Sequence, residues 1–134
     1  MRANASPSRA EIEVFGRETI DGSMKVHSAL GPGLLESAYE ACLAQELRLR
    51  GLFVQSQVPV PIVYQGIRLE VGYRIDLLVE RSVVVDLKAV KQLHPIHEAQ
   101  LLSYLKLANH GLGLLINFHV VHLRDGIKRI VNNL

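Results

Sequence analysis

Tryptophan is missing from this chain, and four tyrosines and three phenylalanines are its whole aromatic content, 5% of 134 residues. Rows of stacked rings, the usual device of a protein that grips single-stranded nucleic acid along its bases, cannot be built from so few. The single cysteine, Cys42, excludes an internal disulfide, and no Cys/His zinc spacing is present. Core packing in a reducing cytoplasm is its expected role. No apolar run approaches the ~18 residues of a membrane span, and the opening "MRANASPSRA" is too polar for the apolar segment of a secretory signal. Neither sign of charge dominates: 15 Lys and Arg against 13 Asp and Glu leave +2, which permits a polyanionic partner without demanding one. What remains is globular composition, 49% hydrophobic and 21% charged, in a chain long enough for one core. Residues 1–10, polar and carrying Pro7, are expected to form a flexible tail, and 11–134 a single domain.

Periodicity divides the chain into helical and extended stretches. "TIDGSMKVHSAL" sets Ile20, Met24, His27 and Leu30 at near-helical spacing before "GPG" stops it. The next stretch, through Gly51, places Leu35, Ala38, Cys42 and Leu49 on one stripe. Short β-type runs follow, with turns at Gln65-Gly66 and at Glu80-Arg81-Ser82, and predict an antiparallel meander. From Pro95 to His110 a helix is expected, with Ala99, Leu102, Leu105 and Leu107 as its apolar surface. An apolar strand at 113–118 then leads through an Asp125-Gly126 hairpin turn to a final strand. The intervening helix makes the 83–88 and 113–118 strands parallel neighbours in one mixed sheet.

Polar residues stand where apolar ones would cost less. In "VVVDLKAV" the alternation of a strand puts Asp86 and Lys88 on one face and Val85, Leu87 and Ala89 on the other. Asp76 lies mid-strand in "YRIDLLVE". Glu36 stands three residues before Tyr39 in "GPGLLESAY", and Gln100 and Tyr104 in "QLLSY" are one helical turn apart. Carboxylates gathered in a partly dry cleft repel, so one takes up a proton or a cation binds. Mg²⁺ uses one or two carboxylates, keeps several waters and accepts phosphate oxygens. A lysine beside such an ion could orient water or stabilise charge on a phosphorane-like transition state.

The strings "GLLESAY", "YRIDLLVE", "VVVDLKAV", "HEAQLLSYLKL" and "GLGLLINF" resemble the small GxxExxY proteins, a minimal branch of the PD-(D/E)XK nuclease-like superfamily, over residues 19–131. The resemblance implies an α/β, restriction-endonuclease-like core: a mixed four-stranded sheet flanked by helices, with a C-terminal strand or hairpin. It implies a metal-dependent nuclease acting on DNA in preference to RNA. Asp76 would be the first motif acid, Asp86 and Lys88 the (D/E)-x-K pair, and Glu36 the acid from the preceding helix. Glu36, Asp76, Asp86 and the Leu87 carbonyl would hold Mg²⁺ or Mn²⁺, and Lys88 would position the attacking water. Gln100 and Tyr104, with Tyr39 and His97, would bind substrate or support the site. Two departures stand out: Ile75 precedes Asp76 where proline is the motif residue, and Asp86 replaces the more usual glutamate, shortening that ligand's reach.

Each part also has a plainer account. Asp86 and Lys88 could be a solvated ion pair. Glu36 could be an acid favoured by a helix N-terminus, and the pairs His94/His97 and His119/His122 need bind no metal. A non-catalytic nucleic-acid or protein binding module on the same fold is the rival function. At this length no appended recognition domain is expected, so a homodimer or larger complex is expected to supply further surface.

Overall fold

The computed structural model describes residues 6–134; of the tail, residues 1–5 lie outside the described part. Helix α1, Arg9–Leu30, begins where Ser8 and Glu11 cap it reciprocally: each side chain accepts the other's backbone N–H, at 3.1 and 2.9 Å. This capping box starts the helix before Glu11 and well before Thr19, where apolar spacing first shows. The buried face of α1 is made of small residues, Gly16, Thr19, Gly22 and Ser23, with Val26 and His27. Ile20 and Met24 only flank the core, and Leu30 is exposed. Close approach is the reason: a Cβ on Gly16 would stand 2.9 Å from Leu112, and one on Gly22 2.9 Å from Leu47. The buried hydroxyls of Thr19 and Ser23 donate to carbonyls one turn back, of Phe15 and Thr19, so neither is left unsatisfied.

Helix α2, Glu36–Leu49, buries Tyr39, Leu43, Ala44 and Leu47. The expected stripe through Leu35, Cys42 and Leu49 faces solvent instead, and Cys42 is an exposed free thiol rather than a core residue. Tyr39 sets the rotation. Its ring stacks on Phe118 with centroids 4.4 Å apart, a larger apolar surface than Cys42 offers.

The main sheet has five strands: β1 (Val54–Pro59), β4 (Arg74–Val79), β5 (Val83–Lys88), β6 (Leu112–Asn117) and β7 (Ile127–Val131), in the order β1-β4-β5-β6-β7. The simple meander is therefore corrected. β2 (Ile62–Tyr64) and β3 (Ile67–Leu69) pair only with each other, around Gln65 and Gly66 with φ of 50° and 79°, and β1 skips them to pair with β4. Helix α3, Pro95–Ala108, crosses over so that β5 and β6 run parallel as expected, and the rest of the sheet is antiparallel. β7 is reached through a 3₁₀ turn, Leu123–Gly126, rather than a two-residue hairpin.

Helices α1 and α2 cover one face of the sheet, meeting Val83, Val85, Leu87, Leu114 and Ile116. On the other, α3 packs Leu101, Tyr104 and Leu105 against Ile75, Leu78, Val84 and Leu115. Ala99 and Leu107 are exposed: Leu101 seats directly over Gly113, where a Cβ would fall 3.0 Å from it, and this contact fixes the helix's rotation. The expected mixed sheet flanked by helices, ending in a C-terminal strand, is the fold observed. No helix among the described residues is long and apolar enough to cross a membrane.

Gly126 packs against the end of β6 so closely that a Cβ there would lie 2.3 Å from the Asn117 carbonyl oxygen. Gly126→Ala must push backbone against backbone, so it is expected to lose about 1–3 kcal/mol in urea denaturation. An alanine variant as stable as wild type would show that this corner yields freely.

Candidate active site

Strand β5 is apolar on both faces except at its end. Val83, Val85 and Leu87 enter the α1/α2 core, while Val84 heads the opposite, α3-facing row that continues with Asp86 and Lys88. Asp86 is 6% exposed. Its Oδ1 lies 3.0 Å from Lys88 Nζ, and among the described residues its buried Oδ2 has no hydrogen-bond partner. Burial raises the Asp86 carboxyl from 3.8 to about 6; Lys88 opposes that rise, and the charges of Asp76 and Glu36 add to it. Burial also pulls the Lys88 ammonium down, but attraction by Asp86, Glu36 and Asp76 outweighs it and leaves its pKa raised. The deeper partner loses more hydration than the ion pair returns; the shallower one gains.

The sheet opens beside this pair. β4 and β5 pair from Val79↔Val83 to Leu77↔Val85 and no further, although β5 continues against β6 to Lys88↔Asn117. Beyond that point the Leu87 N–H donates to Asp76 Oδ2 at 2.8 Å, so a carboxylate takes the place of a ladder carbonyl. On the other side of β4 the pairing skips Gln57, which has a φ of 53°. Its amide donates to Glu40 Oε1 at 2.7 Å and to Asp76 Oδ1 at 3.4 Å. Glu40 is raised mainly by burial, partly offset by that Gln57 bond, with repulsion from Asp76 and Glu36 adding. Glu40 thus joins the group. Its sequence signal is the i,i+4 spacing from Glu36, which puts both acids on one face of α2.

Glu36, the first residue of α2, is exposed, and its field reaches Asp86, Lys88 and Glu40. Tyr39 is fully buried and faces away from solvent; its hydroxyl donates to the Gly31 carbonyl and accepts the Leu34 N–H at 3.1 Å. A substrate contact is closed to it, and it instead braces the turn that presents Glu36. On α3, Tyr104 is buried and its hydroxyl pKa is raised by burial first and by Asp86 next. Its ring lies 6.0 Å from that of Tyr73, and half-buried Gln100 precedes it by one turn on the same face. His97 accepts the His94 N–H on Nδ1 at 3.0 Å, which makes it part of the cap of α3.

Asn117 escaped notice in the sequence. It is 2% exposed, accepts the N–H groups of Val90 and His119, and donates to the Val90 carbonyl at 2.9 Å. It thereby clamps the segment after Lys88 to the end of β6. Its only sequence signal is a lone amide closing the apolar run "GLLINF".

Among the described residues, no three Asp, Glu, His or Cys side chains converge tightly enough to grip an ion by themselves. The donor set suits a hard cation more loosely: carboxylate oxygens, one of them buried and unpartnered, for an ion that needs only one or two of them.

The Asp86 shift has a stability consequence. Between pH 3.8 and about 6 the folded chain holds a proton that the unfolded chain has lost, so stability falls as pH rises through that window. Above it the buried anion costs on the order of 3 kcal/mol; below it the contribution vanishes. Melting wild type and Asp86→Asn in chelator from pH 4 to 8 should give curves that diverge with rising pH, the variant becoming relatively more stable. Parallel curves would mean that Asp86 is not held in a raised-pKa site.

A family model described as the PD-(D/E)XK nuclease superfamily matches residues 13–130, a span that includes Glu36, Asp76, Asp86, Lys88, Gln100 and Tyr104. No curated protein and no solved structure matches the chain. With a mixed sheet that parts beside an acid and a D-x-K pair, the chain belongs to the PD-(D/E)XK nuclease superfamily.

Proposed function

We propose that this chain is a divalent-metal-dependent phosphodiesterase that hydrolyses DNA in preference to RNA, and a member of the GxxExxY branch, with residues 11–134 acting as one nuclease domain. The observation that carries the reading is Asp86 Oδ2, a buried oxygen without a partner among the described residues, beside Lys88. A polar atom left so in an otherwise satisfied interior costs free energy unless a ligand meets it. Asp86 and Asp76, with Glu36 and the Leu87 carbonyl, would hold Mg²⁺ or Mn²⁺, the kind of ion that nucleases of this superfamily generally use. When bound, the ion supplies Lewis-acid polarisation of a phosphoryl oxygen and a water of lowered pKa.

The chain's own groups do the rest. Lys88, held cationic by its carboxylate neighbours, orients the attacking water and offsets negative charge on the phosphoryl oxygens. Tyr104, its pKa raised, stays protonated at neutral pH and donates to a phosphate oxygen, with Gln100 aligned beside it. Tyr39 and Asn117 hold the turn and the strand end that frame the group. The binding-module reading has one observation in its favour: Asp76 Oδ2 is already engaged by the Leu87 N–H, so the acids are not gathered into a ready cage.

Incubating the protein with single-stranded, duplex and branched DNA and RNA, in Mg²⁺, Mn²⁺ or chelator, separates the two. Cleavage is expected with either metal and none with chelator. Asp86→Asn should abolish it, and Lys88→Ala should lower kcat by roughly 10²–10³ with little change in KM. Metal at a hundredfold excess over its Kd should stabilise wild type by about 2.7 kcal/mol. An unmoved melting curve together with an inert nuclease panel would leave the binding module standing.

A further inference from the structure

The hairpin β2–β3 stands apart from the main sheet, and except for half-buried Ile62 its apolar side chains are exposed. Val63, Tyr64, Ile67 and Leu69, with Val71 just beyond, are 42–67% exposed. A lone two-stranded ribbon is marginal in water, and its free edge is a template for another strand. The two edges are not equivalent. Tyr64 and Ile67 flank the two-residue turn and form the hydrogen-bonded pair, so Ile62 and Leu69 bond inward too. The outward groups of β2 are then those of Val63 and Pro61, and Pro61 has no N–H to offer. On β3 they belong to Arg68 and, one strand step on, Glu70. Gly72, with a φ of 89°, ends the extended run.

We infer that the β3 edge is a homodimer interface, in which β3 pairs antiparallel with β3 of a second copy about a twofold axis at Leu69. Charge complementarity selects both the occupant and the register. An axis at Arg68 or at Glu70 would set like charges opposite each other. At Leu69 it sets Arg68 opposite the partner's Glu70, and the reverse, at the positions whose N–H and C=O groups point outward. The opposite face then matches as well: Leu69 meets its own copy and Ile67 meets the partner's Val71. An isologous surface must be complementary to itself, and "IRLEV" is. Among the described residues Arg68 pairs with Glu70 of its own strand, at 2.8 Å, with both side chains more than half exposed. This inference is independent of the catalytic reading.

Sedimentation velocity of the full chain from about 1 µM to about 1 mM, the range in which a small interface associates, should show a reversible dimer. Arg68→Glu should weaken it about tenfold or more through two equivalent like-charge pairs. Arg68→Glu combined with Glu70→Arg should return the Kd to within about threefold of wild type. Leu69→Lys should yield a monomer, with unchanged circular dichroism showing that each variant is folded. A chain that stays monomeric throughout overturns the inference. So does a dimer indifferent to both Arg68→Glu and Leu69→Lys, or a double variant no better than the single one; in those cases the hairpin faces solvent or a different partner.

Discussion

The buried carboxylate of Asp86 is the constraint around which the rest of the structure is arranged. Strand β5 sits in the middle of a five-stranded sheet covered on both faces, where an apolar side chain would cost least. The chain places an acid there and gives it one lysine, two residues on, for only one of its two oxygens. The resulting rise in its pKa is a measure of unspent interaction: the folded chain carries the cost without a partner that cancels it. A cation bound there would meet an oxygen already stripped of water, unlike one bound at a solvated ion pair.

That position requires the sheet to be open at one end and closed at the other. From Val79↔Val83 to Leu77↔Val85 the β4–β5 ladder is regular, and it parts where Asp76 and Asp86 would otherwise face each other as paired neighbours. Asp76 resolves the gap by accepting the Leu87 N–H, which keeps a backbone donor satisfied while holding the acid within the field of Asp86. Gln57 does the same on the far side of β4, its left-handed backbone turning its amide toward Asp76 and Glu40 at once. Closing the ladder would gain backbone bonds and lose the opening between β4 and β5 beside Asp86.

Legibility in the sequence followed the length scale of the physics involved. Strand alternation is local, so "VVVDLKAV" told which residues share a face with Asp86, and the helix between β5 and β6 told that those strands run parallel. The rotation of each helix was not legible. Cys42 and Leu35 were apolar enough to claim the core, but the stacking of Tyr39 on Phe118, 79 residues away in the chain, turned α2 past them. Gly113 did the same to α3 by admitting Leu101 instead of Ala99 or Leu107. Glu40 and Gln57 were missed because their importance comes from each other across elements, and Asn117 because the Val90 backbone it clamps belongs to a different loop. The departure of β2 and β3 from the sheet left no trace in apolar spacing, since a free ribbon and a meander strand share the same alternation.

The string "GPGLLESAY" shows how a short motif can encode a position rather than a reaction. Gly31 and Gly33 have φ of 70° and 99°, a backbone that residues with a Cβ rarely adopt, and together they let the chain double back between α1 and α2. Tyr39 then ties both sides of that turn with one hydroxyl, accepting from Leu34 and donating to Gly31, while its ring is anchored in the core. Because Glu36 and Tyr39 are three residues apart on one helix, fixing Tyr39 fixes the direction in which Glu36 leaves the first turn, and Glu40 one turn later. The tyrosine and the glycines need touch no substrate. They convert a buried stacking contact on one side of α2 into a defined placement of two acids toward the open end of the sheet, where Asp76 and Asp86 already lie.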